Sequence, residues 1–487
     1  MRLPSPRAIA IATLAVAISA PVRPAAAQRQ QAARPNDAIN IPFEKYTLPN
    51  GLTVILSPDR SVPTVTVDVW YHVGSKNEVP GRTGFAHMFE HVMFTGSGNI
   101  PYGLHDRYTQ GVGGGNNGST AWDRTNYYET VPSNYLETAL WLESDRMGFL
   151  LDALDSAKFA AQRDIVQNER RQGVENAPYG RMREILWAAT YPVSNPYSWP
   201  IVGHLRDLKA ASVDDVKDFF RLYYAPTNAT IAIVGDFDPA QAKQWVSKYF
   251  GSLSRGKSID RPEVAPPTLN AETRLVYEDR VQTPRLYLGW PTVGERHDDK
   301  YALDVMFEVL YGSRQARTSR LNKALVYDNQ SVAFIQGAHW PAEDVGQLFL
   351  EFVPRPGNSL TMIEASVDSV LDRFKREGPT AEEIQRALAG LEFQFVSSLQ
   401  SGLRKAETLL AGQVYHGDPG RYKADYTKMR AVTASDVKRV ANTYLGKGRV
   451  VLSIVPEGKL DLAAKAEASA KVTVAPEGAG YIMSEQK

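Results

Sequence analysis

Two imidazoles and a carboxylate, in His87-Met-Phe-Glu90-His91, are the residues of this chain whose types and spacing most directly allow chemistry. On a helix, offsets of three and four bring side chains onto one face, so both rings can bind one metal ion while the carboxylate stays beside it. The order H-x-x-E-H reverses the H-E-x-x-H of other zinc hydrolases and likewise sets a general base next to the metal. A hydrolytic zinc also needs a third protein ligand and an open position. The run Asp164-Ile-Val-Gln-Asn-Glu169-Arg-Arg reads as a helix in which Ile165 and Val166 pack inward and Glu169 follows on their general face. On spacing alone, Glu169 reads rather as a solvated ion-pair partner of Arg170 and Arg171.

The elements that must hold these residues fall into two halves of one plan. Val213 to Tyr224 reads as a helix running into the buried strand Ala229-Thr-Ile-Ala-Ile-Val-Gly235, and Ala434 to Leu445 followed by Arg449 to Val455 repeats it, with Val216 and Val437 standing 221 positions apart. Each half opens with strand-like alternation, at Leu52–Leu56 and Thr64–Trp70 in the first and at Arg285–Trp290 in the second. Strands then give way to helical patterns, so the expected fold class is α+β: two homologous two-layer α/β-sandwich domains in tandem. The expected boundaries are 42–252 for the first domain, a Ser/Gly/Pro-bearing linker at 253–271 with Pro262, Pro266 and Pro267, 272–458 for the second domain, and an Ala/Lys/Glu-rich, partly disordered tail at 459–487.

Composition narrows the rest. Residues 1–27 carry a basic end, a short apolar core from Ala8 to Ala20 and Ala25-Ala26-Ala27, the pattern of a secretory signal peptide with a core too short to span a membrane. That predicts a periplasmic protein, with 28–41 as a polar, flexible lead-in. The chain has no cysteine, so any zinc must be held by His and carboxylate. With 55 basic and 54 acidic residues, it presents no electrostatic case for a nucleic-acid or membrane-surface partner. Gly111-Val-Gly-Gly-Gly115 lacks the Lys-Ser/Thr of a phosphate loop and reads instead as a flexible turn feeding the strand Gly118–Ala121.

Gly84-Phe-Ala-His87-Met-Phe-Glu90-His91-Val-Met-Phe-Thr-Gly96 resembles the zinc helix of the pitrilysin family of metallopeptidases, which includes insulin-degrading enzyme and mitochondrial processing peptidase. Further likenesses follow in order over most of the chain. Asn117-Gly-Ser-Thr120-Ala-Trp-Asp-Arg-Thr125-Asn-Tyr127-Tyr128 is similar to the family's N-A-x-T-x-x-x-x-T-x-Y-Y stretch, with Gly118 for Ala. Arg163-Asp164-Ile-Val-Gln-Asn-Glu169 resembles the R-D-V-I-x-x-E segment, and Asn195-Pro196 to Pro200-Ile-Val-Gly203 the H-P-x-x-x-P-x-x-G loop, with Asn for His. The resemblance implies one Zn2+ per chain held by His87, His91 and Glu169, with Glu90 as the catalytic general base. It also implies an edge strand at Asn117, Gly118, Ser119, Thr120 and Ala121 that pairs with the substrate backbone. Gln162 stands where the family often has a second glutamate, a neutral group able to orient a ligand but not to add charge. Active members also place an Arg and a Tyr, seven residues apart, in the second half; here those positions hold Val326 and Ala333, neither a side-chain donor. Arg320 and Tyr327 are also seven apart, but nearly two turns out of register. The resemblance therefore implies the zinc-bearing subunit of a two-subunit endopeptidase for extended or unfolded peptides, completed by a homologous chain with the Arg/Tyr pair. A self-sufficient homodimer and a non-catalytic structural or binding subunit of the same fold are the alternatives.

Overall fold

The alternation of Thr64–Tyr71 does build a strand, but one buried on both faces. Val65, Val67, Val69 and Tyr71 face a helical core, while Thr66, Asp68 and Trp70 face the other way, where Trp70 Nε1 and Asn126 Nδ2 both donate to the Asp68 carboxylate at 3.0 Å. Burial raises the Asp68 carboxyl to about 8. What covers this second, more polar face comes from the other half of the chain.

The computed structural model describes residues 39–261, 264–312 and 316–484, so the signal-peptide region and Pro262 lie outside the described residues. Strands β1 (Glu44–Thr47), β2 (Thr53–Pro58), β3 (Thr64–Tyr71), β4 (Gly115–Thr120), β5 (Thr125–Pro132) and β6 (Ala229–Gly235) form one sheet in the order β1-β2-β6-β3-β5-β4. Strands β7 (Thr273–Asp279), β8 (Arg285–Val293), β9 (Val332–Pro341), β10 (Val345–Pro354), β11 (Val450–Pro456), β12 (Ala470–Val474) and β13 (Tyr481–Met483) form a second, ordered β13-β12-β7-β11-β8-β10-β9. The core order β2-β6-β3-β5-β4 maps strand for strand onto β7-β11-β8-β10-β9, and in each set the first pair is parallel. The tandem α+β duplication read from the sequence is therefore present at the level of topology.

The halves are not packed as separate bodies; from Ile41 onward the described residues form one compact unit. Each half lends a helix to the other's sheet. Helix Gly402–His416 lies on β3 and β6, with Tyr415 edge-on to Trp70 at 6.1 Å and Lys405 paired to Asp59. Reciprocally, helix Met182–Thr190 buries Ile185 and Leu186 against Leu275, Tyr287, Phe349 and Leu452 of the second sheet, and Tyr191 Oη donates to Gly346 O at 2.6 Å. The tail also departs from expectation. Its Ala470–Val474 run pairs in parallel with β7, and β13 pairs antiparallel with it, because Ala470 and Val472 find an apolar strip to bury against.

Charge fixes the junction between the halves. Glu343, in the turn between β9 and β10, accepts from Lys76 Nζ at 2.5 Å and pairs with His72 Nε2 at 2.9 Å, and Arg296 holds its other oxygen. Burial pushes Glu343 up, but the hydrogen bonds and charge of His72 and Lys76 prevail and hold it at about 2, while burial lowers His72. Both shifts have one sign. A depressed imidazole loses stability as pH falls below its unfolded value near 6.5, and a depressed carboxylate loses it as pH falls from ~4.5 towards ~2. The Glu343 contribution is on the order of 3 kcal/mol above that window. Acid titration of unfolding by circular dichroism should therefore show stability falling below pH ~6.5 and most steeply below ~4.5. Glu343→Gln should flatten the lower part of the curve, and an unchanged slope in that variant would exclude this junction as the source.

Candidate metal and catalytic site

The His87–His91 signature lies in helix Phe85–Val92, and the two faces of that helix divide cleanly. Phe85, Met88, Phe89 and Val92 are buried in the first core, while His87, Glu90 and His91 are half-buried on the opposite side. The helix start is built by two glycines back to back. Gly84 has φ +87°, and a Cβ there would meet Val202 O at 2.6 Å; a Cβ on Gly203, φ +77°, would meet Gly84 Cα at 2.4 Å. The Asn195–Gly203 loop thus seats the metal helix through close backbone approach. The buried Glu78 carboxylate accepts from Gly84 N at 2.9 Å and Ala86 N at 2.8 Å, satisfying donors at the positive end of the helix.

Glu169 lies in the last turn of helix Ser156–Arg170, which crosses the metal helix. Its Oε2 stands 3.2 Å from His91 Nε2 and 3.8 Å from His87 Nε2. Donor atoms around a tetrahedral zinc at ~2.1 Å stand roughly 3.4 Å apart, so this spacing suits one ion. The protonation states suit it as well. Burial, then the charge of His91, lowers His87 to about 4, leaving a neutral imidazole, and the hydrogen bond with His91 holds Glu169 down as a carboxylate. The residues present fit a catalytic zinc: two nitrogens, one carboxylate oxygen, and a cavity on the open side. His87 Nε2 is the nitrogen that faces Glu169, while its buried Nδ1 has no hydrogen-bond partner among the described residues.

Glu90 has a different environment. Its Oε2 accepts from Thr120 Oγ1 at 2.5 Å, and burial raises its pKa, the direction that suits a proton acceptor working near neutrality. Thr120 ends β4, the edge strand of the first sheet. A Cβ at Gly118 would come within 3.2 Å of Glu90 Cγ and Phe94 Cε2, so glycine relieves crowding where the family pattern has alanine. The edge is partly engaged. Asn117 Oδ1 accepts from Gly118 N at 2.8 Å, and Arg124 Nη1 donates to Ser119 O at 2.9 Å. Ala121, expected to continue the strand, lies beyond its end; Ala121 N donates to Arg124 O and Ala121 O accepts from Ser75 N, which closes a turn.

Other expectations need correction or relocation. Ile165 is 46% exposed rather than packed inward, because the buried stripe of its helix runs through Phe159, Gln162, Val166 and Arg170 and leaves Ile165 on the flank. Gln162 is buried two turns before Glu169. Arg320 is spent elsewhere, its Nε and Nη2 donating to the Glu383 carboxylate at 2.8 and 2.7 Å and Nη2 also to Gly378 O. Val326 packs partly into the second core, and Ala333 is exposed on the edge strand β9.

Sequence reasoning missed the rest of the wall. A cavity of about 490 Å³ opens beside the triad, lined by His87, Glu90 and Glu169 together with Trp122, Trp187, Trp199 and Arg183. Behind it, Arg170 donates to both oxygens of Glu184 at 2.7 and 3.1 Å, and Tyr481 of β13 bonds the same carboxylate, so the tail braces the residue next to Glu169. A second His/acid group, His105, Glu129 and Glu143, already holds a cation: Arg146 Nε donates to Glu143 at 2.9 Å and its guanidinium stacks 4.6 Å over Tyr127.

Comparison with known proteins bears on the family and the fold. Residues 53–200 match the family model described as Insulinase (Peptidase family M16), and residues 210–391 the one described as Peptidase M16 inactive domain. The zinc protease PqqE of Helicobacter pylori is 29% identical over 405 residues, covering 82% of this chain and 90% of that protein. An uncharacterized zinc protease, YmxG, of Bacillus subtilis is 25% identical over 424 residues, covering 86% and 99%. The crystal structure of a protease from Helicobacter pylori superposes with a TM-score of 0.80 at 28% identity, covering 86% of this chain and all of that one.

Proposed function

The chain belongs to the M16 peptidase family, and we propose that it is the zinc-bearing subunit of a periplasmic endopeptidase that hydrolyses extended or unfolded peptides. The observation that carries this reading is the convergence of His87 Nε2, His91 Nε2 and the Glu169 carboxylate, with Glu90 in the same cavity. Zinc held by these three residues would supply Lewis acidity, making water nucleophilic near neutral pH and polarising a peptide carbonyl. Glu90 takes the proton from the attacking water and returns it to the leaving amine, while Thr120 fixes one of its oxygens and leaves the other to do the work. The free side of β4 orients the peptide by main-chain hydrogen bonds, which displace the Asn117 side chain from Gly118 N. Such binding reads backbone more than side chains and requires an extended chain.

Broad cleavage limited by size is therefore expected. Peptides and unfolded proteins should be cut and stably folded proteins spared, as read by mass spectrometry of digests; efficient cutting of a folded protein at native sites would contradict an enclosed site fed by strand addition. A homologous partner carrying the Arg/Tyr pair completes the enzyme in this reading. The self-sufficient homodimer would require Arg320 and Tyr327, and the engagement of Arg320 by Glu383 weighs against it. A purely structural or binding subunit would have no use for four intact, converging residues. Stoichiometric zinc together with Glu90-dependent cleavage separates the classes. No helix among the described residues is long and apolar enough to cross a membrane.

A further inference from the structure

Among the described residues, Arg183 is a cation without an ion-pair partner. It sits on helix Met182–Thr190, the helix that the first half lends to the second sheet, and it is exposed although its neighbours Glu184, Ile185, Leu186 and Trp187 are buried. Its guanidinium carbon lies 5.1 Å from the ring centroid of Trp122 in the first half and 4.2 Å from that of Trp340 in the second. Among the described residues no carboxylate lies within ion-pair distance of it, whereas its helix neighbour Glu184 is consumed by Arg170 and Tyr481. The part of its side chain packed against the protein loses hydration, which lowers Arg183 from its ordinary value with no anion raising it. It remains charged at any working pH.

Indole faces engage the flat sides of a guanidinium and leave its edge of N–H donors for a planar acceptor, which a carboxylate matches in bidentate fashion. Arg183 lines the cavity of about 490 Å³ that Glu90, Thr120 and Glu169 also line, large enough for a side chain or a chain end beside a bound peptide backbone. Glu169 and Glu184 share that wall and would repel a dianion more than a carboxylate. We propose that Arg183, packed against the rings of Trp122 and Trp340, forms a carboxylate-recognition subsite that gives the enzyme a preference for peptides presenting an acidic group next to the cleaved bond. The proposal rests on the peptidase reading above and names the substrate class for it. The carboxylate comes either from an Asp or Glu side chain or from a free C-terminus.

The test uses the full zinc-loaded chain carrying Glu90→Gln, so that peptides bind uncut, and fluorescence anisotropy of a labelled peptide series. Glu, Gln or Lys is placed at each position in turn, with the C-terminus free or amidated. At one position Glu should bind about tenfold more tightly than Gln, as a charge-assisted hydrogen bond provides. A side-chain source shows this whatever the C-terminus; a C-terminal source shows it as free over amidated. Adding Arg183→Gln should remove the discrimination between Glu and Gln peptides, with circular dichroism and zinc content reporting an intact fold. Arg183→Glu should turn the preference to Lys. Discrimination that survives Arg183→Gln, or no acidic preference at any position, overturns the proposal. Arg183-dependent binding without any cleavage by the Glu90 chain, with or without a partner, would sink the peptidase reading alone, and no peptide binding at all would sink both.

Discussion

The purified chain should carry about one zinc, and the His87→Ala/His91→Ala double variant should carry none while keeping its fold. The two effects separate because the helix is anchored by its other face: Phe85, Met88, Phe89 and Val92 are buried, and the imidazoles contribute little to that packing. Glu169→Ala should also weaken binding strongly, since a two-ligand site lacks the coordination a catalytic zinc requires. Glu90→Gln behaves differently, because Glu90 stands apart from the donor set and is held by Thr120. That variant should retain its zinc and, assayed together with the homologous partner chain, lose roughly 10²–10⁴ in turnover, the usual contribution of a general base. Metal content by plasma mass spectrometry, circular dichroism and a peptide assay read the three quantities independently. Full zinc in the double-histidine variant would overturn the metal assignment, and near-normal turnover with Glu90→Gln would overturn the role of the base.

What could be read from the sequence depended on how far apart in the chain the cooperating residues lie. His87, Glu90 and His91 belong to one short helix, so spacing alone put them on a common face, and the structure has them there. Glu169 comes from a different helix, so local pattern and acidity nominated it only weakly against a surface ion pair, and the resemblance decided for it. The same local reasoning sent Ile165 inward, because the periodicity fixes a stripe but not which of two adjacent phases meets the core, and Val166 takes that place. The duplication was legible because a helix-to-strand run recurs 221 positions on, whereas the strand order and the exchange of helices were not. Nothing local in Met182–Thr190 says that Ile185 and Leu186 will bury against the second sheet, and Arg183 and the indole wall of the cavity follow from that crossing. The tail misled for a related reason. Its composition is that of a solvated segment, and it folds because β7 offers an open edge for Ala470–Val474.

The isolated chain should be nearly inactive and should gain activity on adding a homologous chain that carries the Arg/Tyr pair but lacks the zinc motif. Zinc, Glu90 and Thr120 can activate water, but the charge that develops on the carbonyl oxygen and the position of the peptide need donors from across the cavity. The second half of this chain has none to offer at the positions in question. Val326 packs against the second core and Ala333 ends at its methyl group on β9. The shifted pair is equally unsuited: Arg320 is held by Glu383 and Gly378 with its guanidinium over Phe374, and the Tyr327 ring lies beneath Arg317. Freeing Arg320 would break an ion pair that is only about a sixth exposed on each side. Loss of one preorganised donor typically costs ~10²–10³ in rate, so the gain on reconstitution should be at least of that order. Arg320→Gln should lower stability without changing the activity of the reconstituted enzyme, which distinguishes a structural arginine from a catalytic one. Full activity from the homogeneous chain alone, lost on Arg320→Gln, would instead make this a self-sufficient peptidase and remove the need for a partner.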